Sequence, residues 1–180
     1  MSGPGHVPER ATGESAGVVE VARSLPTADD TRDLGRALGR LLRGGDLVLL
    51  TGDLGAGKTT LTQGLAEGLG VRGPITSPTF VIARVHPSLV GGPELVHVDA
   101  YRLGGIDELD DLDLDASLEE SVTVVEWGHG MAEPLAEELL EIVLERSGSE
   151  AGEDQERQAA LRGTGARWRR LPVQLATPSD

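Results

Sequence analysis

The residues with the clearest chemistry run from Gly52 to Thr60, Gly-Asp-Leu-Gly-Ala-Gly-Lys-Thr-Thr. Glycines at 52, 55 and 57 allow positive φ and let backbone N–H groups turn inward as a nest for an anion. In the spacing G-x-x-x-x-G-K-T, the backbone of Asp53, Leu54, Gly55, Ala56, Gly57, Lys58, Thr59 and Thr60 wraps a phosphate chain. Lys58 reaches its β- and γ-phosphates, and the Thr59 hydroxyl is placed to ligate Mg²⁺. Of the 16 Lys and Arg residues, only Lys58 is a lysine. A phosphate site uses that compact point charge in a way a planar guanidinium does not replace.

Two carboxylates stand where such a site needs them. Leu95-Val96-His97-Val98-Asp99 and Val122-Thr123-Val124-Val125-Glu126-Trp127 are apolar runs that each close on an acid. Mg²⁺ takes oxygen ligands, keeps several waters, and is held by the loop hydroxyl together with a strand-end carboxylate. Asp99 and Glu126 compete for that second role, directly or through water. The chain contains no asparagine and no second lysine, so the Asn-Lys-x-Asp device that reads guanine is absent and ATP is favoured over GTP. Ser77-Pro78-Thr79-Phe80 falls where nucleotide switches keep a segment that senses the γ-phosphate; a plain proline turn has the same spacing. His97 and His129 read as structural residues. Arg102 serves equally as a phosphate-stabilising arginine or a salt-bridge partner.

The elements that must position these groups follow from periodicity and punctuation. Val18 to Ala22 suits a short edge strand. Thr27-Ala28-Asp29-Asp30 opens a helix with a capping box, Leu34, Leu38, Leu41 and Leu42 give its apolar stripe, and Gly44-Gly45 ends it. A strand at 46–50 feeds the glycine loop. The next helix buries Leu61, Leu65 and Leu69 and stops at Gly70. Further strands are expected at 79–85, 95–99, 122–127, 141–145 and 158–161, with a turn at 86–93 and a short helix at 131–140. Such alternation predicts an α/β fold, a P-loop NTPase-type three-layer sandwich around a mostly parallel sheet. Ligands in such sheets bind beyond the carboxyl ends of the strands, where the loop, Asp99 and Glu126 all lie. The domain is expected over 17–172, with a disordered leader at 1–16 and a flexible tail at 173–180.

Composition narrows the function classes. A length of 180 residues suits one domain with its own core. The absence of cysteine excludes disulfides and thiolate metal sites, and with no long apolar span or signal-peptide core it predicts a cytoplasmic location. A formal charge of −14 opposes broad nucleic-acid binding, so any RNA contact should be local or made through a partner protein. Residues 107–120 are strongly acidic and read as a solvated helix or a docking face for a basic partner. Arg162, Arg167, Arg169 and Arg170 surround Trp168 as a small basic cluster.

Taken in order, Gly52–Thr60, Ser77-Pro78-Thr79-Phe80, His97-Val98-Asp99-Ala100-Tyr101-Arg102-Leu103 and Val125-Glu126-Trp127 resemble the TsaE (YjeE) family across residues 25–146. The resemblance implies a P-loop ATPase required for threonylcarbamoylation of the tRNA adenosine next to the anticodon, acting with the TsaD and TsaB proteins. It further implies that Lys58 holds phosphate, that Thr59 and Glu126 ligate Mg²⁺, and that Asp99 supports hydrolysis. Thr79 would belong to a switch-like loop and Trp127 would border the nucleotide. Two other readings of the loop remain open on residues alone: a small-molecule kinase, and a nucleotide-gated binding module with negligible turnover.

Overall fold

The computed structural model describes residues 17–76, 83–100, 118–127, 136–148 and 156–176. Seven strands are described: β1 (Val18–Leu25), β2 (Leu47–Gly52), β3 (Ala83–His86), β4 (Leu95–Asp99), β5 (Val122–Glu126), β6 (Leu139–Arg146) and β7 (Arg157–Thr164). They form one sheet in the order β1-β7-β6-β2-β5-β4-β3. Helices α1 (Ala28–Leu41) and α2 (Lys58–Leu69) flank β2 in sequence, and a short α3 (Leu171–Ala176) closes the described chain. Among the described residues, no helix is long and apolar enough to cross a membrane.

The α/β class holds, but the sheet is mixed rather than mostly parallel. The centre, β4-β5-β2-β6, is parallel throughout. Both flanks are antiparallel, with β3 against β4 on one side and β7 against both β6 and β1 on the other. The reason lies in the connections. Parallel neighbours need crossovers of a dozen residues or more, whereas only 8 residues join β3 to β4 and 10 join β6 to β7.

One face of the sheet carries the main core. Val48, Leu50, Val124, Ile142 and Leu161 meet Leu34 and Leu38 of α1 and Leu61 and Leu65 of α2. On the opposite face Leu47, Leu49, Val96, Val98 and Val125 form a second cluster, with Leu118 and Ala136 packed on it. Among the described residues, α1 and α2 both pack on the first face, and α1 lies directly on α2. Their contact is made backbone to backbone. Gly35 and Gly39 of α1 face Gly64 and Gly68 of α2 so closely that a Cβ on any of the four would strike a carbonyl of the other helix. Arg32 reaches Gln63 at 2.6 Å and Arg36 reaches Glu67 at 2.6 Å along the same seam.

Several local expectations change. The expected helix at 131–140 does not reach its end, because Leu139 and Leu140 open β6, where Leu140 pairs with Val48; a Leu pair suits either element and burial in the sheet decides. Residues 136–138 are not helical either, and 131–135 fall outside the described residues, as do most of the acidic stretch at 107–120 and the first part of the strand expected at 79–85. The chain is helical over Leu171–Ala176, anchored by buried Leu171. Of the four arginines read as a basic cluster, Arg169 and Arg170 are exposed. Arg167 is drawn inward to a two-point ion pair with Asp46 (Nη2–Oδ2 2.8 Å, Nε–Oδ1 3.0 Å) and covers the buried Trp168 ring at 4.4 Å, while Arg162 points outward from β7.

Candidate functional site

The chain runs from buried β2 through a turn closed by the Ala56 N–H on the Asp53 carbonyl at 2.9 Å, then directly into α2. Gly57, at φ 103°, is the N-cap of α2; no side chain caps this helix and no acid lies in its first turn. The contrast with α1 is instructive. There Thr27 and Asp30 complete a capping box and close the N-terminus. The amino end of α2 has no such side-chain closure among the described residues, an arrangement that suits an anion.

Lys58 is the first residue of α2, and its side chain folds back across the turn. Its ammonium donates to the carbonyls of Gly52 (2.5 Å) and Asp53 (3.1 Å) and lies 4.4 Å over the Trp127 ring. Burial pushes the ammonium below its ordinary pKa, opposed by the negative charges of Glu126, Asp53 and Asp99. The Lys58 charge therefore lies within the field of all three acids. Thr59 and Thr60 are half-buried at the start of α2, Ala56 is buried, and Asp53, Leu54 and Gly55 are exposed at the mouth.

Strand register assembles the rest. Asp99 ends β4 and Glu126 ends β5, and the two are paired across the parallel ladder. Glu126 also lies opposite Leu50 of β2, two residues before Gly52. Both acids are buried. Glu126 accepts from His97 Nε2 at 2.8 Å. Trp127 follows at φ 61°, the left-handed region, with its N–H on the Leu50 carbonyl at 3.0 Å. The structure thus brings together Lys58, Thr59, Asp99, Glu126 and Trp127 at neighbouring strand ends. Thr79, Arg102 and His129 lie outside the described residues.

The donor set suits a magnesium ion shared with phosphates. Among the described residues there is no group of three or more His, Cys, Asp or Glu side chains that could cage a metal alone. Two buried carboxylates and a threonine hydroxyl beside one ammonium are hard oxygen donors with a surplus negative charge. Mg²⁺ accepts one or two carboxylates and takes its remaining ligands from water and substrate.

Arg157 was not among the residues read as functional. It opens β7 in phase with the buried residues Ala159, Leu161 and Gly163, and donates from Nε to the Ala56 carbonyl at 3.1 Å. The available signal was an arginine on the inward beat of an alternating strand.

With this geometry in place, comparison with known proteins decides the family. Residues 25–158 match the family described as Threonylcarbamoyl adenosine biosynthesis protein TsaE. The chain belongs to the TsaE family. A relative from Streptomyces coelicolor, named tRNA threonylcarbamoyladenosine biosynthesis protein TsaE, is 61% identical over 145 residues, covering 80% of this chain and 97% of the relative. A Bacillus subtilis relative of the same name is 38% identical over 149 residues, covering 82% and 89%. The crystal structure of Bacillus subtilis YdiB superposes with a TM-score of 0.69 at 32% identity, covering 90% of this chain and 97% of that one. Family and fold agree with the four ordered motifs.

Proposed function

We propose that this TsaE-family protein is a Mg²⁺-dependent ATPase required for N6-threonylcarbamoyladenosine modification of tRNA at the adenosine next to the anticodon (position 37), working with TsaD and TsaB in the cytoplasm. The observation that carries the reading is the meeting of Lys58, at an uncapped helix N-terminus, with the paired strand-end acids Asp99 and Glu126. The relatives' names supply the process; the site supplies the chemistry.

In this reading the N–H groups from Asp53 to Thr60 cradle the phosphate chain of ATP. Lys58 exchanges its bonds to the Gly52 and Asp53 carbonyls for the terminal phosphates. Thr59 and Glu126 hold Mg²⁺, with Asp99 beside them in support of hydrolysis. When bound, the ion would supply positive charge against that of the phosphates. His97 fixes the orientation of Glu126. Trp127 borders the nucleotide and Thr79 belongs to the segment that senses its state. Among the described residues, no side chain stands out to orient an attacking water. Hydrolysis by the chain alone is therefore expected to be slow, with TsaD and TsaB accelerating it, as partners do when they complete a nucleotide switch.

The test is reconstituted tRNA threonylcarbamoylation with Lys58→Ala or Glu126→Ala protein. The reading requires loss of sustained turnover; a wild-type rate with either variant removes it. Product analysis separates the kinase alternative, which would place phosphate on an added acceptor rather than release it to water.

A further inference from the structure

The phosphate loop is tied down by two cations from two directions. Lys58 takes the carbonyls at the loop's start, Gly52 and Asp53. Arg157 takes those at its end: Nε donates to Ala56 at 3.1 Å and Nη2 reaches Gly55 at 3.5 Å. Arg157 is buried, and it arrives from β7, a strand that is 101 residues away in sequence and on the antiparallel side of the sheet. Its base is fixed by pairing with Leu25 of β1 and Arg146 of β6. Gly57 makes room for it, since a Cβ there would lie 3.3 Å from the Arg157 Cδ and Nε.

The consequence follows from peptide geometry. The Ala56 carbonyl and the Gly57 N–H share one planar trans unit and point in opposite directions. A guanidinium that holds the carbonyl to one side turns that N–H to the other. Buried carbonyls need donors, and a fixed arginine fork supplies them with little further loss of side-chain freedom.

We propose that Arg157 is a positioning residue that sets the phosphate loop in its anion-binding form before nucleotide arrives, by holding the Gly55 and Ala56 carbonyls away from the nest. It makes no contact with the reacting atoms. The role rests on the nucleotide-site reading given above.

The experiment titrates ATP and ADP into the full chain and its Arg157→Gln and Arg157→Lys variants, beside thermal unfolding. Arg167→Gln serves as a structural control, because Arg167 pairs with Asp46 at the opposite end of β2. Removing a charge-assisted bond to a buried carbonyl should weaken nucleotide binding on the order of tenfold to a hundredfold. KM should rise while kcat stays within a factor of about three, as when binding common to ground and transition states is lost. Arg157→Lys should restore part of the affinity. Arg167→Gln should lower the melting temperature and leave the affinity of the folded protein alone. A folded Arg157→Gln protein that binds ATP within twofold of wild type overturns the proposal. Should that variant fail to fold, backbone relaxation of the nucleotide-free wild type decides: a Gly57 N–H order parameter of about 0.8 or more supports a preset loop, and a lower value overturns it. A wild-type chain that binds no ATP would instead remove the nucleotide-site reading.

Discussion

His97 Nε2 lies 2.8 Å from Oε1 of Glu126, with both side chains out of solvent on adjacent strands. An ionised carboxylate only accepts, so the imidazole donates. Glu126 is thereby held at one angle beside Lys58. From sequence His97 reads as structural, and its burial agrees with that, yet its bond points into the site.

Replacing His97 should therefore loosen Glu126 rather than unfold the chain alone. Groups that orient a metal ligand are worth about 10–100-fold in metal affinity or activity. His97→Leu is expected to raise the Mg²⁺ concentration that half-saturates ATP hydrolysis by an amount in that range. His97→Gln, which keeps an N–H donor, should fall between. Superimposable Mg²⁺ titrations for wild type and His97→Leu would leave the histidine with a packing role only.

If the site takes a nucleotide as proposed, Trp127 should report its arrival. It sits at φ 61°, costly for a bulky side chain and common at functional sites, and the Lys58 ammonium lies over its ring. When phosphate draws that ammonium away, the indole loses a cation from its face. Emission from Trp127 should change on adding ATP, and Trp127→Phe should abolish the change. Trp168, buried beneath Arg167 at the far end of the sheet, should contribute none. A nucleotide-dependent signal that survives in Trp127→Phe would contradict this arrangement.

Much of this was legible in the sequence because it rests on local rules. Thr27 and Asp30 announce a capping box by spacing, and the box is formed. Gly70 ends α2 in the left-handed conformation that glycine favours. The apolar runs ending in Asp99 and Glu126 are strands with those termini close to the expected ends. What stayed hidden depends on distant partners. Nothing near Arg157 in sequence tells of a carbonyl at Ala56, and nothing near Arg167 tells of Asp46. The mixed character of the sheet was likewise invisible, since a strand does not carry its neighbour's direction in its own residues. Leu139 and Leu140 failed for a related reason: an apolar pair fits either period until a sheet claims it.

The glycine seam between α1 and α2 makes a stability prediction that reaches the site. A Cβ on Gly64 would be forced into the Arg32 carbonyl, and α2 cannot withdraw without moving Lys58 and Thr59 at its first turn. Overpacking costs typically 1–3 kcal/mol, and more where only backbone can yield. Gly64→Ala should cost about 3 kcal/mol in denaturant unfolding and also weaken ATP binding in the fraction that folds. Exposed helical glycines usually gain stability on the same change. Unfolding of Gly64→Ala at or above the wild-type midpoint would mean the helices are not in backbone contact.

Lys58 makes stability depend on pH. Burial lowers its pKa from the ordinary 10.5, and Glu126, Asp53 and Asp99 recover only part of the loss. The unfolded chain keeps its proton up to about 10.5, so between the folded and unfolded pKa values the unfolded state binds more protons and stability rises with pH. Below the folded pKa both states are protonated and the whole cost of burying the ammonium stands. Lys58→Met, which should lose nucleotide binding, carries no titrating group at this position. Comparing the two proteins cancels groups that titrate alike in both. Wild type should gain stability relative to Lys58→Met as pH climbs toward 10.5, because it sheds its buried charge. A wild type that loses ground to the variant over that range would show that the site holds its lysine without strain.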